Sequence, residues 1–233
     1  MKSKSYDFTI SGAGLVGSLL ALVLDKIGYE VCLIEKSNFE SNISDSLDFY
    51  PLSLNYRSKI ILENIGLWDH INKISYPINE LTILYRNNLS KIRLTSGEVD
   101  LENLGFVLDR HQLLEIYRKS IKEHFNGTIK LNSEIQSVER HKNDLTLRVD
   151  SEEIRSKYLI VSDGIGSNLS KLVSCNAEKI DYKQTSFMLN CNGTFKQNHA
   201  LQFALQQQWQ LQSGATAQCQ AAVSQADQSR LEA

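Results

Sequence analysis

Near the amino terminus, Gly12-Ala13-Gly14-Leu15-Val16-Gly17 carries the spacing G-x-G-x-x-G, and an acid, Glu35, stands 23 positions after the first glycine. Glycines at these intervals suit a pyrophosphate. The first permits a tight turn, the second lets the backbone approach the anion, and the third lets a helix pack closely against a strand. The N–H groups and positive dipole end of that helix then face the phosphates. A carboxylate closing the next strand accepts hydrogen bonds from ribose hydroxyls. Its negative charge repels a 2′-phosphate, so the pocket suits NAD or the ADP half of FAD rather than NADP. The same glycines can also serve packing alone, and the flanking elements decide between the two.

Those elements stand in register. Tyr6 to Ser11 is a short β-prone run that ends directly in the glycines. Leu15, Leu19, Leu22, Val23 and Ile27 then repeat at helical spacing, Gly28 supplies a stop, and Val31 to Glu35 reads as a second apolar strand. Strand, glycine turn, helix, strand and terminal acid together predict a Rossmann-like βαβ unit that binds a dinucleotide.

A simple NAD dehydrogenase would continue with alternating strands and helices, and this chain does not. A polar stretch, Lys36 to Asp48, leads to a helix expected from about Ser53 to Leu67. Strand-like runs follow at Leu81–Tyr85 and Ile92–Leu94, separated by the turn-prone Arg86-Asn87-Asn88. Another helix is expected from about His111 to His124, then strands at 128–131, 135–138, 145–149 and 158–161. Asp163-Gly164, after the last of these, makes a tight turn whose amides can face a phosphate, with Ser167 and Asn168 available as helix caps. An ordinary strand-end turn is the alternative. The whole predicts an α/β protein in which a mixed β-sheet domain interrupts a nucleotide-binding domain.

Composition narrows the partners. With 25 Lys and Arg against 27 Asp and Glu, the charge is −2, and no basic patch stands out for nucleic acid. Cys32, Cys175, Cys191 and Cys219 form no C-x-x-C pair, which fits a reducing cytoplasm. The apolar run Leu15–Leu24 ends at Asp25-Lys26, about half the ~20 residues of a membrane span. The histidines are scattered, and no side chain reads as a covalent nucleophile, so no catalytic residue is assigned.

Over residues 5–195 the sequence resembles the FAD-dependent aromatic hydroxylases of the para-hydroxybenzoate hydroxylase type. Within them it is similar to the UbiH/UbiF-like polyprenylphenol hydroxylases of ubiquinone biosynthesis. The resemblance rests on the glycine motif with Glu35, on Leu52-Ser53-Leu54 through Ile65-Gly66-Leu67-Trp68-Asp69, on Leu104 to Asp109, and on Val161 to Ser167 with its Asp-Gly pair. It implies FAD as cofactor, NAD(P)H as electron donor, O2 as co-substrate and a small aromatic polyprenylphenol as substrate. A membrane surface or a biosynthetic complex follows as the expected setting. The implied cofactor contacts are Gly12, Ala13, Gly14, Leu15, Val16, Gly17, Glu35, Lys36, Arg110, Asp163 and Gly164, with backbone around Ile135 to Val138 holding the adenine. His111 falls beside Arg110 at a polar cofactor-contact position. Tyr50 stands where the family usually carries an arginine and cannot supply a guanidinium's charge or fork of donors; Arg57 is the nearest substitute.

The composition breaks near residue 196. Residues 1–196 hold 16 lysines, 3 glutamines and 3 alanines, whereas 197–233 hold 11 glutamines, 8 alanines and no lysine. No Gly-Asp pair occurs in the chain, although the family carries one beyond this point. These observations predict a FAD-binding domain over 1–195 with a partial substrate-domain insertion at about 72–104, and an atypical tail at 196–233 outside the fold. They also predict the N-terminal, carboxyl-truncated portion of a longer monooxygenase, with negligible hydroxylase turnover by itself. A non-catalytic fragment or frame-shifted product of such a gene is the alternative.

Overall fold

Where apolar residues run unbroken, strands bury both faces. The computed structural model describes residues 4–39, 50–85, 91–164, 169–173, 186–187, 190–192, 194, 196–204, 209–213 and 218–224. In chain order the elements are β1 (Ser5–Ser11), α1 (Leu15–Lys26), β2 (Val31–Glu35), β3 (Pro51–Asn55), α2 (Tyr56–Asn64), α3 (Trp68–Asn72), β4 (Tyr76–Ile78), β5 (Glu80–Tyr85), β6 (Lys91–Thr95) and β7 (Gly105–Asp109). There follow α4 (Arg110–His124), β8 (Thr128–Leu131), β9 (Ile135–Arg140), β10 (Leu145–Val149), β11 (Glu152–Val161), α5 (Leu169–Leu172), β12 (Ser186–Phe187), β13 (Asn190–Asn192), β14 (His199–Ala204), β15 (Trp209–Ser213) and β16 (Gln218–Ser224). The chain divides into two units, residues 1–47 with 111–178, and residues 48–110 with 179–233.

Among the described residues, the first unit holds a six-stranded sheet in the order β8-β2-β1-β11-β10-β9. β1 is parallel to both neighbours, with Ile10 opposite Leu33 in β2 and Ile160 in β11. β8 extends the parallel part beyond β2, and β10 and β9 continue antiparallel beyond β11. Val31, Cys32, Leu33 and Ile34 are all buried, as expected of a parallel strand covered on both faces. α1 turns Gly17, Ser18, Ala21, Leu22 and Leu24 inward. In the antiparallel ribbon the apolar residues alternate, and Leu147, Val149 and Ile154 join Tyr6, Cys32, Ile34, Ile135 and Leu169 in one core cluster. Leu147 is fully buried, so Leu147→Ala is expected to cost about 3 kcal/mol, read as a lower urea midpoint with an unchanged slope.

The second unit holds a three-stranded antiparallel sheet, β3-β7-β4, and a larger sheet that contains β5, β6, β14, β15 and β16. All five residues of β7 are buried, and Phe106 meets Trp68 edge to face with ring centroids 4.7 Å apart. The helix expected from Ser53 begins later. Pro51–Asn55 is a strand paired with β7, Asn55 caps α2 by accepting from the Ser58 N–H at 2.9 Å, and Gly66 at φ +82° separates α2 from α3. The pairing partner, far along the chain, outweighs local helical spacing.

The domain boundaries also differ from those expected. The second unit takes in 48–110 rather than about 72–104, and it includes residues from the Gln/Ala-rich end. β14 runs parallel to β5 from His199 opposite Glu80 to Ala204 opposite Tyr85, and β15 and β16 follow antiparallel. Alternation explains this. Leu201-Gln202-Phe203 and Trp209-Gln210-Leu211-Gln212 have the period of two that a strand needs, whatever their composition. Arg86-Asn87-Asn88, Gly166, Ser167 and Asn168 lie outside the described residues.

Candidate functional site

The glycine turn joins the carboxyl end of β1 to the start of α1. Gly12 has φ +95°, and its N–H donates to the Ile34 carbonyl at 2.8 Å, tying the turn to β2. A Cβ on Gly12 would lie 2.6 Å from the Ser162 carbonyl oxygen, and one on Gly17 would overlap the Gly12 carbonyl oxygen and approach Ser162 Oγ to 2.5 Å. Both positions therefore exclude a side chain for reasons of packing. Gly14 differs. Its φ of −73° and ψ of −170° suit any residue, and a Cβ there would meet nothing within 4 Å among the described residues. Among the described residues, the space over Gly14 is unfilled.

α1 begins at this space without a side-chain cap, and no acid occupies its first turn. The positive end of the helix is thus left for an anion. Ala13 is fully buried, Leu15 is half-buried and Val16 is 69% exposed. Ser162, which was not singled out among the cofactor contacts, braces the turn. Its hydroxyl lies 2.8 Å from the Ser11 carbonyl oxygen and 3.0 Å from that of Gly12.

Glu35 ends β2 beside the turn. Oε2 accepts the Ala13 N–H at 2.6 Å, while Oε1 accepts the Ser37 N–H at 2.9 Å and the Ser37 hydroxyl at 2.7 Å. Burial pushes this carboxyl up, but the hydrogen bonds from Ser37 and Ala13 and the positive charge of Arg118 outweigh burial and hold it below the usual carboxylate value. The group is an ionised acceptor, and each oxygen retains lone-pair capacity for a ligand hydroxyl. Lys36 is exposed, and its ammonium lies 3.7 Å from the Glu134 carboxylate.

A cavity of about 310 Å3 opens at the same end of the sheet. It is lined by Ser11, by Glu134 to Gln136 at the start of β9, by Asp163, and by Leu169 and Leu172 of α5. The first unit thus brings together the glycine turn, Glu35, Asp163 and Ile135. Gly164 has φ +82° with open space around it, so the Asp-Gly turn depends on glycine's backbone freedom. Arg110 and Tyr50 belong to the second unit. The Arg110 N–H donates to the Tyr50 carbonyl at 2.8 Å, and its guanidinium stands 5.6 Å from the Tyr50 ring centroid. Arg57 and His111 are exposed.

A model of the FAD binding domain matches residues 5–222. The chain belongs to this family. Among curated relatives, the 3-demethoxyubiquinol 3-hydroxylase of Escherichia coli (strain K12) is 23% identical over 82% of this chain and 49% of its own length. The ubiquinone hydroxylase UbiM of Neisseria meningitidis is 23% identical over 83% of this chain and 43% of its own. The chain therefore spans about half the length of these relatives. Among solved structures, pqsL of Pseudomonas aeruginosa, described as a probable FAD-dependent monooxygenase, shares the fold with a TM-score of 0.78. Its identity is 17%, and the match covers 98% of this chain and 63% of that one.

The groups on this FAD binding domain fit the cofactor that the family name implies. The open space over Gly14 and the uncapped α1 suit a pyrophosphate, and the ionised Glu35 suits a ribose diol. The cavity has the scale of an aromatic base and carries both apolar walls and polar edges.

Proposed function

We propose that this chain binds FAD and supplies the cofactor-holding part of a monooxygenase that hydroxylates a polyprenylphenol ring in ubiquinone biosynthesis, with NAD(P)H as electron donor. The reading of FAD binding is carried by Gly14, a glycine that the fold does not require, set under open space at an uncapped helix start. The substrate class is supported by the curated relatives named as ubiquinone hydroxylases.

Each residue has a defined part in this reading. The backbone of Gly12 to Gly17 receives the pyrophosphate, Glu35 accepts the ribose hydroxyls, and the negative charge of Glu35 disfavours a 2′-phosphate at this position. Lys36 lies alongside that ribose, the cavity lined by Ile135 and Asp163 takes the adenine, and Gly164 shapes the turn after Asp163. Bound flavin would accept a hydride from the nicotinamide donor and activate O2, chemistry that belongs to the cofactor, while the protein binds and orients it. A polyprenyl substrate would be met at the membrane surface or within a biosynthetic complex.

Titration of the purified chain with FAD is the direct test. Quenching of flavin fluorescence that saturates at one equivalent, and is competed by ADP, is expected. A chain that stays colourless and neither quenches FAD nor is protected from thermal unfolding by it would remove the proposal.

A further inference from the structure

Arg118 lies on α4, 83 positions after Glu35, and was not among the residues expected to touch the cofactor. One of its terminal nitrogens donates to the Phe39 carbonyl at 3.1 Å, and the guanidinium carbon stands 5.2 Å from the centroid of the Phe39 ring. Phe39 is 4% exposed, so this contact anchors the segment that follows β2. Ser37, within that segment, gives Glu35 Oε1 both of its hydrogen bonds, and Glu35 Oε2 in turn holds the Ala13 N–H of the glycine turn. The path runs from Arg118 to Phe39 by contact, back along the backbone to Ser37, and from Ser37 to Glu35 and the turn by hydrogen bonds.

The Nε of Arg118 is buried and has no hydrogen-bond partner among the described residues. A buried donor without a partner opposes folding, and an apolar side chain of similar length would fill the space without that penalty. The guanidinium does what no apolar residue can, because it lies over the Phe39 ring, donates to the same residue and adds a permanent positive charge that favours the ionised form of Glu35. Lys36, the neighbouring cation, faces the Glu134 carboxylate at 3.7 Å.

We infer that Arg118 is a positioning residue that acts through Glu35, fixing the carboxylate where it must stand to receive the adenosine ribose of the cofactor. This rests on the reading of Glu35 as the ribose acceptor. The test is a double-mutant cycle on the full chain with Arg118→Met, Glu35→Gln and the double variant, read as FAD and ADP dissociation constants and as thermal unfolding of the ligand-free protein across pH.

Arg118→Met is expected to weaken FAD and ADP about tenfold in the native background and less than twofold in the Glu35→Gln background. Arg118→Lys, which keeps the charge but not the planar fork, is expected to weaken them about threefold, and it carries the comparison if the methionine variant does not fold. Equal losses in both backgrounds, or no loss, would overturn the inference. If the unmodified chain binds neither FAD nor ADP, the ribose reading falls while the coupling is still decided by the ligand-free protein. There, removing the charge should move the acid limb of unfolding to higher pH only when Glu35 is present. Coincident acid limbs for the native chain and Arg118→Met would overturn the coupling.

Discussion

Gly17→Ala is expected to lower the unfolding midpoint by roughly 10 °C and to abolish FAD binding. A methyl at this position overlaps the Gly12 carbonyl oxygen and crowds Ser162 Oγ. The first obstacle is backbone, held by Ser162, and cannot rotate aside. Overpacking of this kind costs about 3 kcal/mol, and a chain of this size loses about 2–4 °C per kcal/mol. Gly14→Ala is the paired control. Its methyl meets nothing within 4 Å among the described residues and its backbone angles are ordinary, so the midpoint should stay within about 2 °C of the native value, since a change clear of buried features is worth about 0.5 kcal/mol or less. FAD affinity should nevertheless fall at least tenfold, because the methyl stands where the pyrophosphate approaches. Calorimetry and fluorescence titration on the two variants separate packing from ligand contact. If Gly14→Ala binds FAD as the native chain does, the pyrophosphate does not lie over Gly14.

Glu35→Ala is expected to weaken FAD by about 100-fold, equivalent to about 2.7 kcal/mol, and to destabilise the ligand-free chain as well. Three donors lose their acceptor at once: the Ala13 N–H, the Ser37 N–H and the Ser37 hydroxyl. Hydrogen bonds to a charged group contribute about 1.5–3 kcal/mol each and do not add fully, so a stability loss of about 3 kcal/mol is expected by urea denaturation. The pH dependence has a definite sign. The folded protein holds Glu35 below its ordinary value of 4.5. Its contribution is therefore complete above that value and is lost as pH falls through the lower, folded value. Glu35→Gln, which cannot ionise, should flatten that part of the stability profile. An unchanged acid limb in the glutamine variant would show that Glu35 is not held ionised by the fold.

Local chemistry explains which features were legible in the residues. The turn at Gly12, the stop at Gly28 and the apolar runs of β1 and β2 depend on neighbours a few positions away, and their spacing reads directly as strand, turn and helix. Glu35 was legible because it ends the second strand. Ser53 to Asn55 was misread because helical spacing in the following residues extends back over it, while the pairing of this strand with β7 lies about fifty positions downstream. In the Gln/Ala-rich end, composition drew attention away from the alternation in Leu201 to Phe203 and Trp209 to Gln212, the signal by which β14 and β15 could have been found.

Ser162 and Arg118 mark the limit of that reading. Ser162 follows an apolar strand and looks like any residue at a strand end. Arg118 lies in a helix whose buried stripe is Leu113, Tyr117, Ser120 and Ile121, and nothing in the periodicity separates it from a solvated arginine. By itself the sequence determined the βαβ unit, its glycine turn, the acid that faces it and hence the class of cofactor, because each depends on short-range spacing and side-chain chemistry. Only the tertiary structure decided that β11 lies beside β1, so that Ser162 reaches back 150 residues to the turn, and that α4 brings a half-buried charge to the segment behind Glu35. Those choices follow from burying a whole sheet at once, an energy spread over many distant residues and written at none of them.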